Sequence, residues 1–278
     1  MPLPPLIPGQ VCAITGGLTG IGRAIAIVFL SHGAEVSINY LTSHNSDEQK
    51  LIDALRDEAL EAINARSNTT IRSPSDVPLL CIPGDISLPT TGPDFVSQTV
   101  SRFGRLDTFV SNAGICKFEE FLDISHESLG RHLNTNLSGA FYAVQAAASQ
   151  MSKQSPHGGS IIGVSSISAL VGGAQQCHYT PTKAGILSLM QSTATALGKY
   201  NIRCNALLPG TIRTQLNDED LKDGSEKKAY MEGRIPLGRI GKPEDMAGPA
   251  LFLACGELSG YVTGASLLVD GGAFVNFQ

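Results

Sequence analysis

The sequence predicts a doubly wound α/β fold, a parallel sheet with helices on both faces, and three observations predict it. Short apolar, branched runs alternate with helical patterns along the chain; the first run opens straight into a glycine-rich turn and a helix; no composition break divides the 278 residues. Consecutive parallel strands need a crossover, and a helix supplies it. Strands are expected near 11–15, 34–39, 79–82, 107–110, 160–165, 202–208 and 266–269, each but the last followed by a helical pattern. With 42% apolar content the chain can bury one large core, and residues 1–278 are read as a single domain.

The first strand is Val11-Cys12-Ala13-Ile14-Thr15, which runs into Gly16-Gly17-Leu18-Thr19-Gly20-Ile21-Gly22. A helix follows at once, because Ile21, Ala24, Ile25, Val28 and Phe29 recur at helical spacing until Gly33 stops it. Strand, glycine turn and helix form the context a phosphate loop requires. The glycines let the backbone approach a pyrophosphate, and the helix N-terminus offers free N–H groups and partial positive charge. The second strand reads Ala34 to Asn39, and a charged helix follows near 46–65. Residues 66–78, polar and punctuated by proline, are read as a surface loop. Residues 211–236, charge-rich around Asn217-Asp218-Glu219-Asp220, follow the sixth strand and are read as a mobile lid over the pocket.

Tyr179 and Lys183 stand four apart in His178-Tyr179-Thr180-Pro181-Thr182-Lys183. On a helix that spacing puts both side chains on one face, about 5–6 Å apart at Cβ. An ammonium there favours the phenolate, and a tyrosine base needs the help: a fall from about 10 to near 7 is worth about 4 kcal/mol. By itself such a pair more often means a half-buried ring beside a solvated cation. The glycine loop upstream is what shifts the weight towards chemistry.

Composition narrows the alternatives. A net charge of −5 with no dense basic stretch argues against nucleic acid or an anionic membrane as partner. Cys12, Cys81, Cys116, Cys177, Cys204 and Cys255 are scattered without a C-x-x-C pair and read as reduced, buried thiols. Residues 1–9 lack the pattern of a signal peptide and no run is long enough for a membrane span, so a cytoplasmic location is expected. No metal is expected: the histidines never adopt H-E-x-x-H spacing. His126 and His132 are read as surface residues, and His178 as a pocket-wall or packing residue. Nor is there a G-x-S-x-G elbow to suggest a hydrolase.

With these residues in hand, the chain resembles the short-chain dehydrogenase/reductase family over nearly its whole length, which implies a Rossmann fold with a seven-stranded parallel sheet. The matching blocks are Thr15-Gly16 to Gly22, Ser111-Asn112-Ala113-Gly114, Asn136 within Asn134 to Gly139, Ser166, Tyr179 with Lys183, and Pro209-Gly210. Ser111 departs from the family's more frequent asparagine. The resemblance implies that Tyr179 is the general base in oxidation, and that Lys183 lowers its pKa and holds the nicotinamide ribose. It implies that Ser166, thirteen residues earlier, stabilises charge on the reacting oxygen, with Ser165 and Ser168 as competitors. Asn136 would anchor a water in the proton path, or serve as a buried amide satisfying backbone groups.

The implied cofactor is NAD or NADP. Its contacts would be Gly16, Thr19, Gly20, Ile21 and Gly22 in the loop, and Asp85 and Ile86 at the adenine, where Asp85 is equally a turn residue. Asn112, Ala113 and Gly114 would lie along the fourth strand's end, with Tyr179 and Lys183 at the ribose. Pro209, Gly210, Thr211, Ile212 and Thr214 would meet the carboxamide. Asn39, at the expected end of the second strand, stands where an acid would bind a ribose 2′-OH or an arginine a 2′-phosphate. Neither charge is supplied there or at Gly17, Leu18 and Thr19, which leans towards NAD with dual use open; an aspartate at 39 would sharpen that preference. Should Asn39 point elsewhere, Thr42, Ser43 or His44 would set the choice.

The segments Ser165 to Lys183, Met231 to Gly238 and Leu268 to Asn276 are similar to those of microbial aldose 1-dehydrogenases in this family. That similarity implies oxidation of the anomeric carbon of L-rhamnose, or of similarly configured L-lyxose or L-mannose, to the aldonolactone. Ser166, Ser168, Gln176, Tyr179 and Asn217 are candidates for the sugar hydroxyls, and Val171 and Ala169 for the 6-methyl group. A carbonyl or 3-oxoacyl reductase with the same catalytic set, and a cofactor-sensing protein without turnover, stay open. The resemblance also implies a homotetramer built on helices near 126–150 and 178–198 and on the C-terminal tail. Ala184, Gly185 and Ala194 would allow close helix approach there, and Phe274-Val275-Asn276-Phe277 would be buried against a neighbour.

Overall fold

The computed structural model describes residues 4–42, 47–66, 71, 73–215, 217–218 and 221–276. Its strands are β1 (Val11–Thr15), β2 (Glu35–Tyr40), β3 (Leu79–Pro83), β4 (Thr108–Ser111), β5 (Gly159–Val164), β6 (Ile202–Pro209) and β7 (Ser266–Val269). They form one parallel sheet in the order β3-β2-β1-β4-β5-β6-β7. Between them run α1 (Gly20–Ser31), α2 (Glu48–Arg66), α3 (Thr91–Phe103), α4 (His126–His132), α5 (Gly139–Lys153), α6 (Thr180–Leu197), α7 (Glu226–Arg234), α8 (Glu244–Ala254) and α9 (Gly256–Ser259).

The sheet is buried on both faces, which is why its strands read as continuous apolar runs. Side chains alternate between two cores. Cys12 and Ile14 of β1 and Leu207 of β6 join Ile25 and Phe29 of α1 and Leu55 of α2 on one face. Ala13 of β1 and Leu208 of β6 join Phe95 of α3, Met151 of α5 and Met190 of α6 on the other. Strand order reverses between β1, which pairs with β2, and β4, which continues the sheet the other way. The loops leaving those two strands therefore part, and a crevice opens at their C-terminal ends.

Two local features aim side chains at that crevice. Between α4 and α5 the chain winds one turn more widely over Leu133–Ser138, with the Gly139 N–H bonded to the Asn134 carbonyl, and Asn136 lies in this turn. Gly139 is required where α5 presses on the end of β3, since a Cβ there would run into the Ile86 carbonyl.

Several expectations are corrected. β2 runs to Tyr40, one residue beyond Asn39, because Asn39 pairs with Ile82 and Tyr40 with Pro83. The six cysteines are free, but only Cys12, Cys204 and Cys255 are buried; Cys177 is exposed, and Cys81 and Cys116 are half-buried. His132 is fully buried rather than at the surface. In the polar stretch 66–78 the described part includes a short helical turn at Pro74–Asp76; residues 67–70 and 72 lie outside the described residues, as do Ser43 and His44. No helix among the described residues is long and apolar enough to cross a membrane.

Candidate active site

The crevice at the switch point is a cleft of about 1030 Å³ lined by the glycine loop, the ends of β2, β4, β5 and β6, the start of α6, and the segment after β6. Gly16 and Gly20 carry φ of 63° and 55°, a backbone only glycine adopts at low cost. A Cβ on Gly22 would strike the Gly16 carbonyl and lie 2.6 Å from Asn112 Nδ2, so the loop and α1 pack backbone against backbone. No side chain caps the N-terminus of α1, which leaves its first N–H groups to the cleft. The loop is clamped from β4: Asn112 Nδ2 donates to the Thr15 and Gly16 carbonyls at 3.0 Å each. Thr15 Oγ1 in turn accepts the Asn112 and Ala113 N–H groups, also at 3.0 Å. Sequence reasoning named Asn112 as a contact and missed this clamp, since the two ends of it lie almost a hundred residues apart.

This cradle suits a pyrophosphate: backbone donors, no Cβ, and a helix start. At the far end Asp85 lines the cleft, but its carboxylate closes a turn by accepting Ser87 N at 2.9 Å and Ser87 Oγ at 2.7 Å. Asn39 lines the cleft too, yet Nδ2 turns onto the Gly84 and Ile82 carbonyls at 3.0 and 3.4 Å. Asn39, expected beside the ribose, thus spends its amide tying β2 to the β3 turn. Around it the described lining residues are Tyr40, Leu41, Glu48 and Leu51, without a lysine or arginine. Gly20 lies under Thr214, whose Cγ2 would be 3.5 Å from a Cβ there, so the segment after Pro209-Gly210 covers the loop. Thr211 and Ile212 line the same wall.

Ser166, Tyr179 and Lys183 converge on the other half of the cleft. β5 delivers Ser166, and α6 delivers the other two one turn apart. Ser165, the competing serine, donates its hydroxyl to the Lys183 carbonyl at 2.7 Å, while Ser168 N donates to Ser166 Oγ at 3.0 Å. Lys183 is buried, with Nζ donating to the Val164 carbonyl at 3.0 Å and lying 5.6 Å from the Tyr179 ring centre. Burial pushes the ammonium down to about 8. Burial pushes the Tyr179 phenol up, the nearby Cys116 thiol adds to this, and a hydrogen bond with Ser166 opposes it. Desolvation is thus the largest influence on the phenol, and Lys183 is not among the groups that oppose it here.

Asn136 is spent as a buried amide. Its Oδ1 accepts Ile115 N at 2.8 Å, and Nδ2 donates to the Ile115 carbonyl at 2.9 Å and to Thr182 Oγ1 at 3.2 Å. Thr182 Oγ1 donates to the Tyr179 carbonyl at 2.6 Å, so a chain of bonds runs from the cleft wall through Asn136 to the base of Tyr179. Of the sugar candidates, Ser168, Gln176, Asn217 and Val171 line the cleft, while Ala169 does not. Gln176 Nε2 donates to Cys116 Sγ at 3.4 Å. The Asn217 amide closes its own turn, accepting Thr214 N and donating to the Ile212 carbonyl at 2.9 Å each. From the segment 211–236, Leu221, Lys227 and Met231 face the cleft, and Lys227 Nζ sits 4.4 Å over the Phe118 ring. Among the described residues no group of three or more His, Cys, Asp or Glu side chains is placed to hold a metal.

The family model described as enoyl-(acyl carrier protein) reductase matches residues 16–273. A solved short-chain type dehydrogenase/reductase from Mycobacterium marinum superposes with a TM-score of 0.82 at 31% identity, over 96% of each chain. The chain belongs to the short-chain dehydrogenase/reductase family. Among its relatives, the L-rhamnose-1-dehydrogenase of Scheffersomyces stipitis is 60% identical over 98% of this chain and 99% of its own length. The L-rhamnose 1-dehydrogenase (NAD(P)(+)) of a Sphingomonas species is 52% identical over the same shares. Short-chain dehydrogenases use a nicotinamide dinucleotide, and the uncapped α1 with its glycine cradle is where this chain's residues fit one.

Proposed function

We propose that the protein oxidises the anomeric carbon of L-rhamnose, or of an aldose with the same configuration around the reacting centre, to the aldonolactone with NAD or NADP. The observation that carries this reading is the meeting, in one cleft, of the Ser166 and Tyr179 hydroxyls and Lys183 with a backbone cradle for a dinucleotide. The sugar is taken from the relatives that match along their whole length. In this reading Gly16, Thr19, Gly20, Ile21 and Gly22 hold the pyrophosphate, and Asp85 and Ile86 border the adenine. Asn112, Ala113 and Gly114 flank the ribose that Tyr179 and Lys183 hold. Pro209, Gly210, Thr211, Ile212 and Thr214 orient the nicotinamide, which when bound supplies the hydride acceptor.

Tyr179, as the phenolate, then takes the proton of the anomeric hydroxyl and becomes the phenol as the C–H bond breaks, and Ser166 donates a hydrogen bond to the same oxygen. Lys183 supplies positive charge beside the phenolate before it takes that proton. Asn136 acts by holding Ile115 and Thr182, and through them Tyr179. The absence of a base and the presence of Glu48 among the described residues at the β2 end favour a ribose 2′-OH over a 2′-phosphate, which leans towards NAD. We further propose a homotetramer in the cytoplasm, paired through α4, α5 and α6, whose outer faces expose Leu129 and Phe141, and through a tail that exposes Phe274 and Val275. Gly185 and Ala194 are already used inside the chain, against Leu137 and the core respectively, which leaves Ala184 for that contact. Phe277 lies outside the described residues.

The test is a panel of aldoses assayed with NAD and NADP, beside ketones and a 3-oxoacyl thioester assayed with the reduced cofactors. L-Rhamnose oxidation is expected to exceed every ketone reduction in kcat/KM. Ketone or thioester reduction without sugar oxidation would overturn the reading.

A further inference from the structure

Behind the wall of the cleft lies a cluster of ionisable side chains that the chemistry above does not use. His132 Nδ1 is 2.8 Å from the Ser128 carbonyl, which can only accept, so Nδ1 carries the proton and Nε2 accepts the Lys117 N–H at 3.3 Å. Both ring positions are thus used. Its ring packs edge-on to His178, with centres 4.0 Å apart. His178 is 1% exposed, Nε2 faces Glu119 Oε2 at 3.2 Å, and among the described residues neither ring nitrogen completes a hydrogen bond of full geometry. Glu119 is charged: Lys117 Nζ at 2.8 Å and the Ser128 hydroxyl hold its carboxyl down near about 2.

The position of this cluster gives it meaning. Glu119 belongs to the segment after β4 that brings Cys116 and Phe118 to the cleft, and His178 to the segment that brings Val171 and Gln176 and ends at Tyr179. The two segments are joined by Glu119 N to the Gln175 carbonyl at 3.0 Å, Gln175 Nε2 to Glu120 Oε1 at 2.7 Å, and Gln176 Nε2 to Cys116 Sγ at 3.4 Å. These are bonds at or near the surface. The carboxylate and imidazole lie inside them: burial pushes His178 towards the neutral imidazole, and the tie is its Nε2 facing the Glu119 carboxylate at 3.2 Å, dipole to charge.

We propose that Glu119 and His178 are positioning residues, a clasp between the two segments that wall the substrate side, which sets Phe118 and Gln176 against the sugar and Tyr179 against Ser166. Packing alone would place His178 equally well as an apolar ring, so phenylalanine separates the two roles. The inference rests on the reading of Tyr179 as the base acting on a sugar. The clasp touches nothing at the glycine loop, so its loss spares cofactor binding.

The experiment compares His178→Phe, His178→Gln, Glu119→Ala and Glu119→Gln with the parent. It measures sugar KM and kcat, cofactor Kd by fluorescence, and amide hydrogen exchange over residues 115–121 and 171–178. In His178→Phe and Glu119→Ala, sugar KM is expected to rise about tenfold or more and kcat to fall less, with faster exchange in both segments and cofactor Kd within about twofold. His178→Gln and Glu119→Gln, which keep a hydrogen-bonding partner at the clasp, are expected within about threefold of the parent. A folded His178→Phe with parental KM and parental exchange overturns the proposal. Should that variant not fold, Glu119→Ala decides it by the same two readouts, because Glu119 is only partly buried. Were the parent to oxidise no aldose, the preceding reading would fail while the exchange rates still judged the clasp.

Discussion

Tyr179 shows at the scale of one residue why a motif and its electrostatics are separate matters. Its phenol is driven up by burial, and what works against burial here is the hydrogen bond with Ser166. Tyr179→Phe removes one oxygen and should leave packing intact. Turnover should fall by roughly 10²- to 10⁴-fold with cofactor binding nearly intact, since Lys183 still holds the ribose, measured by steady-state kinetics and fluorescence titration. Substantial activity in that variant would remove Tyr179 from the role of base. Lys183 carries a stability signature of its own. Burial takes it from 10.5 to about 8, so the unfolded chain binds more protons between those values and stability rises as pH climbs through them. Lys183→Met should therefore be more resistant to urea than the parent at pH 7, by up to about 3 kcal/mol, and the gap should close towards pH 10.5. A gap independent of pH would mean that the ammonium is not desolvated as the structure places it.

At the scale of elements, the close approaches of backbone decide where the cleft lies. Gly22 fits because α1 rests on the Gly16 carbonyl and the Asn112 amide. Gly22→Ala should part them and weaken cofactor binding by roughly tenfold or more while leaving the sheet folded, which fluorescence titration and circular dichroism would show together. Gly139→Ala meets the Ile86 carbonyl and should cost about 1–3 kcal/mol, with Asn136 displaced as α5 moves away from β3. Unchanged urea midpoints would contradict that packing. Asn39→Asp now carries a different expectation from the one its sequence position suggests. Its two backbone bonds at the β2–β3 edge would be replaced by a carboxylate facing two carbonyls, at about 1–3 kcal/mol. NAD and NADP should weaken together, and a selective loss of NADP alone would show that the carboxylate reaches the ribose.

For the whole molecule, exposed apolar side chains on α4, α5 and the C-terminal tail are the feature a monomer does not need. A tetrameric mass by light scattering is expected, and Phe141→Glu should shift it downwards; a monomeric parent would end the assembly proposal. Acid should act on the same scale. Asp245 is forked by Arg239 at 2.7 and 2.8 Å, and with Glu119 it is held near about 2. Both groups bind fewer protons folded than unfolded, so their contribution is present above the ordinary carboxylate range and is lost as pH falls towards 2.

The fold was legible before any coordinates, because strand and helix periods, the strand–glycine–helix passage and the order of motifs are all local in the chain. Ends were less so: β2 gained Tyr40 because its partner β3 offered Pro83 across the ladder, which no local pattern carries. The pair Tyr179 and Lys183 and the glycine cradle could likewise be read from spacing, whereas Ser166 came from the family resemblance; the three line one cleft. What the chain's order could not show is where each polar group spends its hydrogen bonds. Asn39 turned to β3, Asn136 to Ile115 and Thr182, and Asn217 to its own loop, each committed by a neighbour that folding brought near. His132 and His178, apart in sequence and read as a surface and a wall residue, pack edge-on behind the cleft wall. Residue types and their periods are written along the chain; desolvation and hydrogen-bond competition depend on distances between remote segments, and only the tertiary structure decides those.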